Sequence, residues 1–463
     1  MVRIENLGVM EFMVASSMGW FICVIAILIA GGVCFRRRGA ISALGIAVAL
    51  TFAVPVWLEI PVAGIPMGVR TFVAITALIA FAIRSPWEIR SPLTVLDFVL
   101  TGIVVVHVIS DSIHGWNAAL AGLRAYGEWA VPYVAGRYAM RSAREMEPLT
   151  ICVCGVVIVL GLGGLLEMAT SVNPWEVLFG NRPIEEFGRN ASRFGLKRAF
   201  GTTLHPIYFG VLILILTPWP VALSLWTKGK REFPLAISGL AASLLGICSS
   251  LSRGPAIGGV LFLCLLSAVW SRWCRWGVIA ACATLAIWIG TDFRGFVSQL
   301  EKLGGEKSHV TNLKLDGEKV ELSSLRYRMV LFQVYWPAMW HAGWLGYGTN
   351  AVLELPPKVP YLPADPQTRE RLKFVDNSFV YQVLRFGWAG ALLLATAFAA
   401  AAATGIHLAW DRSAGVLASS LAAMVIATAA ALTTVWLTYD LGFELFWSFG
   451  VIAGLSSQQR ADH

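Results

Sequence analysis

Apolar residues occur along the whole chain in long, unbroken runs that lack the polar face of a soluble amphipathic element. Each run has roughly the 20 residues that an α-helix needs to cross the hydrocarbon core of a bilayer. The runs fall at approximately 10–34, 39–57, 65–83, 93–109, 117–136, 148–169, 205–225, 234–250, 255–271, 276–291, 386–409, 414–437 and 441–456. This pattern predicts an all-α polytopic membrane protein with about 12–13 transmembrane helices.

Composition supports the same class of protein. Hydrophobic residues make up 57% of the chain and charged residues 14%, whereas soluble domains carry about 25% charged residues. The 19 tryptophans suit a protein with many membrane interfaces, where indole rings settle at headgroup level. The net charge of +8 is modest for the length. We therefore expect the lipid bilayer as a partner, and no nucleic acid.

The basic residues predict an orientation. Those in alternate connections lie on one side of the predicted membrane: Arg36–Arg38, Arg84 with Arg90, Arg141 with Arg144, Lys228 with Lys230 and Arg231, Arg272 with Arg275, and Arg412. The positive-inside rule makes this side cytoplasmic. The outer side carries two long segments, at about 171–204 and 291–385. We therefore divide the chain into an N-terminal transmembrane bundle at 1–290, a large periplasmic loop at 291–385 and C-terminal transmembrane helices at 386–463.

The larger outer segment contains one apolar, aromatic-rich stretch, from Met329 to Trp344. Trp336, Trp340 and His341 interrupt its hydrophobicity. We expect a helix that lies in the membrane interface rather than one that spans the bilayer.

The shorter outer segment breaks the charge pattern. Its basic and acidic residues are Arg182, Arg189, Arg193, Lys197 and Arg198, against Glu176, Glu185 and Glu186. Two interpretations remain open. The arginines can pair with these glutamates, or they can form a site for an anion such as phosphate, which suits the guanidinium fork.

Arg253 occupies a turn between two apolar runs, in the sequence Ser252-Arg253-Gly254-Pro255. An arginine there requires either an anionic partner or access to the interface by snorkelling. It can thus stabilise a charged leaving group or simply reach the headgroups. Within the fifth run, the spacing of Arg124 and Glu128 favours an i, i+4 ion pair.

Motifs for a metal ion are absent from the sequence. The seven histidines are scattered, and no Asp-x-Asp occurs. Many enzymes that use sugar nucleotides hold a divalent ion with such carboxylates, so we expect arginines to neutralise any donor phosphate. The prediction is therefore no metal ligand and no cofactor.

Four motifs follow one another through the second half of the chain. They are Arg198-Ala199-Phe200-Gly201 with His205-Pro206, the hairpin Ser250 to Gly254, Arg328 followed by the turn Gly343 to Gly348, and the element Asp376 to Gly390. In this order they resemble the O-antigen ligase/Wzy polymerase family, over roughly residues 195–450. Ligases of that family usually carry histidine where this chain has Asp376.

The resemblance implies a GT-C-like fold and a metal-independent, inverting glycosyltransferase that uses an undecaprenyl-pyrophosphate-linked glycan. It implies catalytic roles for Arg253, Arg328 and Asp376. The substrate-binding residues that we expect are Arg198, His205 and Asn377 from these motifs, together with Arg193 and Arg326. An aspartate, with a reference pKa of about 3.9, is a weak base unless burial raises that value. Asp376-Asn377 can alternatively orient sugar hydroxyls or cap the next helix.

The family also implies a location and a choice of reactions. The site would face the periplasm from the bacterial inner membrane, and the acceptor would be lipid A-core, another glycan or a protein. A polymerase of lipid-linked repeats, in lipopolysaccharide or exopolysaccharide biosynthesis, is the alternative. A transporter or flippase of lipid-linked glycans is a further one, which charges along a path between both faces would indicate.

Overall fold

The structure is a computed structural model. It describes residues 2–62, 65–85, 91–140, 143–182, 192–292, 295, 311–315, 318–322, 324–354, 357–363, 369, 372, 375–410 and 415–462.

Helices dominate the described chain. They are α1 Val2–Arg38, α2 Ala40–Thr51, α3 Val69–Arg84, α4 Val95–Ile113, α5 Ala118–Ala125, a π-helical segment Tyr126–Ala130, α6 Val131–Ala139, α7 Ala143–Thr170, α8 Pro174–Phe179, α9 Pro206–Leu216, α10 Pro218–Trp226, α11 Phe233–Ser249, α12 Arg253–Trp270, α13 Arg272–Thr291, α14 Ser324–His341, α15 Gly348–Leu353, α16 Ser378–Leu408, α17 Gly415–Ala431 and α18 Tyr439–Asp462.

The strands of the described residues form three separate antiparallel hairpins. Their strands are β1 Glu59–Val62 with β2 Ile65–Gly68, β3 Ser192–Arg193 with β4 Leu196–Lys197, and β5 Thr311–Leu315 with β6 Glu318–Leu322. Each hairpin lies in a connection between helices.

Each of the predicted apolar runs lies largely on helical structure. Among the described residues, six helical stretches are long and apolar enough to cross a membrane: Ser17–Arg38, Val95–Ile113, Met146–Thr170, Pro206–Trp226, Arg253–Trp270 and Ser378–Leu408. Three shorter apolar helices accompany them: Ala40–Thr51, Phe233–Ser249 and Gly415–Ala431. The prediction of an all-α polytopic membrane protein is confirmed. The total of 12–13 crossings stays a prediction.

The centre of the bundle holds a close contact between α6 and α18. Gly136 faces the backbone of Trp447, and Gly450 and Gly454 of α18 face the backbone of α6 in return. Small residues at such contacts allow helix backbones to approach closely within a membrane.

Gly136→Ala is expected to lower the thermal unfolding temperature in detergent. A Cβ atom at position 136 would overlap the Trp447 backbone, which cannot rotate away as a side chain can. Gly277→Ala on α13 is the matched control, because a Cβ there meets nothing within 4 Å. Equal unfolding temperatures for the two variants would contradict this packing.

The fifth apolar run is interrupted by the π-helical segment, and this changes the partner of Glu128. Its carboxylate accepts hydrogen bonds from Arg385 Nη1 and Nη2 at 2.6 and 2.7 Å. Arg124 instead lies over the Trp116 ring, with 5.3 Å from its guanidinium carbon to the ring centroid. The predicted Arg124–Glu128 pair is wrong. A π-helical turn bonds over five residues, so residues four apart lose the alignment of an α-helix.

Arg385 also anchors the segment between α14 and α16 to the bundle. Its Nε donates to Thr349 Oγ1 at 2.8 Å, and the Thr349 N–H donates to Asp111 Oδ1 at 2.8 Å. The other Asp111 oxygen lies 3.1 Å from His107 Nε2, while Trp129 Nε1 donates to His107 Nδ1 at 2.8 Å. The indole bond assigns the His107 proton to Nε2, which then donates to Asp111.

The aromatic-rich stretch forms α14, which packs one face against the first half of α16. Leu331, Tyr335 and Met339 are buried there, in a small core with residues of α16. The opposite side exposes Phe332, Trp336 and Trp340 of α14 and the following Trp344. This two-sided character suits the predicted interfacial helix; its position relative to a membrane stays a prediction.

A break at Gly387 divides α16 and allows the turn after α14 to pack closely against it. Its φ is +67°, a conformation that favours glycine, and an added Cβ would overlap the backbone of Trp344 and Leu345. Across the break, the Trp388 N–H donates to the Gly343 carbonyl at 3.0 Å and the Tyr347 N–H to the Leu384 carbonyl at 2.8 Å. The turn after α14 is therefore bonded directly to the helix.

Candidate functional site

Two arginines from the shorter outer segment brace the turn between α11 and α12. Arg193 Nη1 donates to the Leu251 carbonyl at 2.7 Å. Arg198 donates through Nε to the Ser250 carbonyl at 3.2 Å and through Nη2 to the Ser252 hydroxyl at 2.7 Å. Leu251 has a φ of +46°, which is costly for leucine and needs such support. Two predicted substrate-binding residues thus fix the turn that precedes Arg253.

Arg253 is the first residue of α12, and its side chain is exposed. The N-terminus of a helix favours an anion, because its first N–H groups point outward and the helix dipole is positive there. The next residue, Gly254, lies against the connection between α17 and α18. A Cβ on Gly254 would lie 2.7 Å from Thr434 Oγ1.

Asp376 and Asn377 approach the same connection from the start of α16. Asn377 caps the helix, since its Oδ1 accepts from the N–H groups of Phe379 and Val380 at 3.0 and 3.1 Å. Its Nδ2 donates to the Thr433 carbonyl at 3.1 Å. Asp376, the residue before the cap, is half-buried. The capping interpretation of this pair is therefore correct for Asn377.

Thr433 and Thr434 are neighbours, so the turn of Arg253 and the segment of Asp376 meet at one connection. The structure thereby groups five of the eight predicted site residues: Arg193, Arg198, Arg253, Asp376 and Asn377. Arg326 and Arg328 belong to the start of α14. Their side chains lie outside the described residues, as do Arg189, Glu185 and Glu186 of the shorter segment.

His205, the eighth predicted residue, caps α9. Its Nδ1 accepts from the Ile207 N–H at 3.2 Å, and its ring centroid lies 5.7 Å from that of Tyr208. Asp376 and Asp440 both lie within electrostatic range of Tyr208. The first turn of α9 therefore borders the site.

A small cavity adjoins Tyr208 and contains charged residues that the sequence analysis missed. Its walls include Arg70, Thr203, Tyr208, Asp440 and Glu444. Arg70 Nη1 forms a buried ion pair with Glu444. Arg70 and Glu444 are ionisable residues inside apolar runs, which is itself a signal of a functional or paired position.

One further carboxylate, Glu59 on β1, lies near the cavity and within electrostatic range of Asp440. Glu59 is exposed overall, but the surrounding protein partly desolvates its carboxyl group. This desolvation, with a smaller contribution from the charge of Asp440, raises the pKa of Glu59 to about 7. Glu59 can therefore take up and release a proton near neutral pH.

Five helices begin around this region. They are α3 with Arg70, α9 with Tyr208, α12 with Arg253, α16 after Asn377, and α18 with Asp440. Their dipoles all direct a positive end toward the site, which favours a bound anion. The carboxylates of Asp376 and Asp440 lie within electrostatic range of Tyr208, and that of Glu59 lies within electrostatic range of Asp440. The arrangement thus offers an anion-binding part and an acidic part.

Other charges of the shorter segment have structural partners. Arg182 Nε lies 2.9 Å from Glu176 Oε1, and the guanidinium carbon lies 3.6 Å from the centroid of the Phe200 ring. Lys197 Nζ donates to the Ser171 carbonyl at 2.6 Å. For Arg182 the expected pairing with a loop glutamate is correct. Within the described chain, no group of three or more His, Cys, Asp or Glu residues has the geometry to hold a metal ion.

The family model described as O-antigen ligase (Wzy_C) matches residues 238–395. The chain carries an O-antigen ligase domain. This domain extends from α11 to the first half of α16 and contains Arg253, Asp376, Asn377 and the start of α14. This match supports a role in glycosyl transfer of the O-antigen ligase or polymerase type. A search among curated proteins gives no match to the chain.

The O-antigen ligase domain covers about a third of the chain, so several site residues lie outside it. Arg193, Arg198 and His205 precede it. Asp440 and Glu444 follow it. The candidate site is therefore formed by the domain together with helices from both ends of the chain.

Proposed function

We propose that the protein transfers a glycan from an undecaprenyl-pyrophosphate-linked donor to an acceptor hydroxyl, without a metal ion and with inversion at the anomeric carbon. The observation that carries this proposal is that the neighbours of Arg253 and Asp376 meet at one connection, where Gly254 lies against Thr434 and Asn377 donates to the Thr433 carbonyl. Such a displacement requires a cation to stabilise the leaving group and a carboxylate to accept the proton of the acceptor hydroxyl.

The first part of the proposed reaction is the departure of the leaving group. As the bond between the anomeric carbon and the pyrophosphate oxygen breaks, negative charge grows on the pyrophosphate. Arg253 and the N-terminus of α12 would stabilise that charge, and the braced turn would hold Arg253 in place before the reaction. Arg328, with Arg326 as the less favoured choice, would add positive charge from the outer loop.

The second part of the proposed reaction is the attack of the acceptor. Its hydroxyl oxygen forms the new bond to the anomeric carbon, and its proton passes to the carboxylate of Asp376. Asn377 would hold Asp376 in position through the helix cap. We propose the periplasmic face of the bacterial inner membrane as the location. Residues 1–290 and 386–463 would form one bundle, with 291–385 as the outer loop.

Asp376→Asn tests the role of the carboxylate. The amide has nearly the same shape but cannot accept the proton, so transfer is expected to fall by a factor of about 100–10,000. The measurement is the rate at which purified protein in proteoliposomes transfers glycan from the lipid-linked donor. Asp292→Asn, an exposed aspartate at the end of α13, is the matched control and should retain activity.

Two outcomes would contradict this assignment. Full activity of Asp376→Asn would remove the residue from the chemistry. Loss of activity in Asp440→Asn alone would move the proton acceptor to the cavity beside Tyr208.

The lipid-linked pool of a deletion strain identifies the reaction. A ligase predicts accumulation of the full-length lipid-linked glycan, whereas a polymerase predicts accumulation of single repeats. We favour the ligase, with lipid A-core, another glycan or a protein as acceptor. An unchanged pool and unchanged surface glycan would contradict both reactions.

A further inference from the structure

A groove lies between α1, α2 and α3, toward the end of the bundle where α1 stops. It has a volume of about 270 Å³ and is lined by 28–35 of α1, 40–47 of α2 and 76–84 of α3. Small-molecule sites range over about 300–1,000 Å³, so this open groove is close to that size. Glycine and alanine form much of its wall, for example Gly31, Gly32, Ala43, Ala77 and Ala80.

Arginines surround one end of this groove. Arg84 is the last residue of α3 and contributes to the lining. Its guanidinium carbon lies 5.7 Å from the centroid of the Phe35 ring, which also lines the groove. The residues after Phe35 are Arg36, Arg37 and Arg38, all exposed in the last turn of α1. The apolar groove therefore ends at Arg84, next to a helix terminus that carries three further arginines.

We propose that this groove binds an anionic phospholipid of the cytoplasmic leaflet, with an acyl chain along the Gly/Ala wall and the phosphate at the four arginines. Small residues admit the chain closely, so that dispersion contacts replace those of free lipid. Guanidinium groups bind phosphate oxygens in charge-assisted hydrogen bonds. The positive-inside rule assigns the arginine end to the cytoplasmic side.

The arginines near the groove argue against two other occupants, a second copy of the chain and the glycan donor. A second copy of the chain docked symmetrically through this groove would bring its own four arginines against these four, and like charges repel. The glycan donor would place its pyrophosphate near the start of α3, where Arg70 lines the cavity beside the candidate site. Arg84 is fourteen residues away along the same helix, or about 21 Å. The groove is therefore independent of the proposed function.

The test uses the full-length protein and native mass spectrometry with an equimolar mixture of phosphatidylglycerol and phosphatidylcholine. Gly32→Leu inserts a side chain at a position where a Cβ meets nothing within 4 Å. We expect it to reduce bound phosphatidylglycerol at least tenfold. Gly277→Leu on α13 is the matched control, since its Cβ also meets nothing within 4 Å, and it should retain the lipid.

Arg84→Gln provides a second test that leaves the helix packing unchanged. The variant is expected to lose its preference for phosphatidylglycerol over phosphatidylcholine. Three results would overturn the proposal: equal binding of both lipids by the wild-type protein, undiminished phosphatidylglycerol in both variants, or displacement of the lipid by stoichiometric undecaprenyl phosphate. A dimer that dissociates in Gly32→Leu would assign the groove to a second copy instead.

Discussion

Arg253→Ala is expected to reduce glycan transfer by a factor of about 100–1,000 while membrane insertion and thermal stability remain unchanged. The side chain is exposed at the start of α12, outside the buried core of the bundle. Its loss would remove the positive charge that stabilises the departing pyrophosphate. The measurement is the transfer rate in proteoliposomes, with the unfolding temperature as a check on folding.

The chain offers a matched control for this variant. Arg272 is also exposed and also begins a helix, α13, but it lies at the opposite end of α12. Arg272→Ala should therefore transfer glycan at the wild-type rate. Arg198→Ala should fall between the two, because Arg198 acts on the turn that holds Arg253. Full activity of Arg253→Ala would contradict the proposed mechanism.

Arg385→Ala is expected to produce the largest loss of stability, about 3–5 kcal/mol. Arg385 and Glu128 are both buried and are joined by two hydrogen bonds. Removing the guanidinium leaves the Glu128 carboxylate without its partner inside the bundle. The measurement is the free energy of unfolding, or the unfolding temperature, in a fixed detergent.

A double variant separates the lost ion pair from the stranded charge. Arg385→Met combined with Glu128→Leu should recover most of the stability, since neither member of the pair is left as a buried charge without its partner. The exposed Lys358–Glu354 pair is the control; Lys358→Ala should cost less than about 1 kcal/mol. If Arg385→Ala and Lys358→Ala had similar free energies of unfolding, the buried Arg385–Glu128 pair would not be important for stability.

The helices were largely predictable because a bilayer requires long apolar segments with internally paired backbones. Residues 255–271, for example, predicted α12 to within two residues of its observed bounds, Arg253–Trp270. Breaks within a run were less predictable. The π-helical segment and the positive φ of Gly387 depend on contacts with other helices, and hydropathy alone does not encode them.

The candidate site was predictable only in part. The motifs that resemble the ligase family marked Arg253 and Asp376, but Arg193 and Arg198 were assigned to substrate rather than to the turn before Arg253. Arg70 pairs with Glu444, a partner 374 residues away in sequence. Such pairings follow from the three-dimensional order of the helices, which one sequence does not specify.

The long sequence separation of the buried ion pair has a consequence for biogenesis. Arg385 follows Glu128 by 257 residues, and a ribosome adds about 5–20 residues per second. Arg385 is therefore synthesised roughly 10–50 s after Glu128. During this interval Glu128 lacks the arginine that it pairs with in the folded protein. Final closure of the bundle is thus coupled to the arrival of its eleventh apolar run.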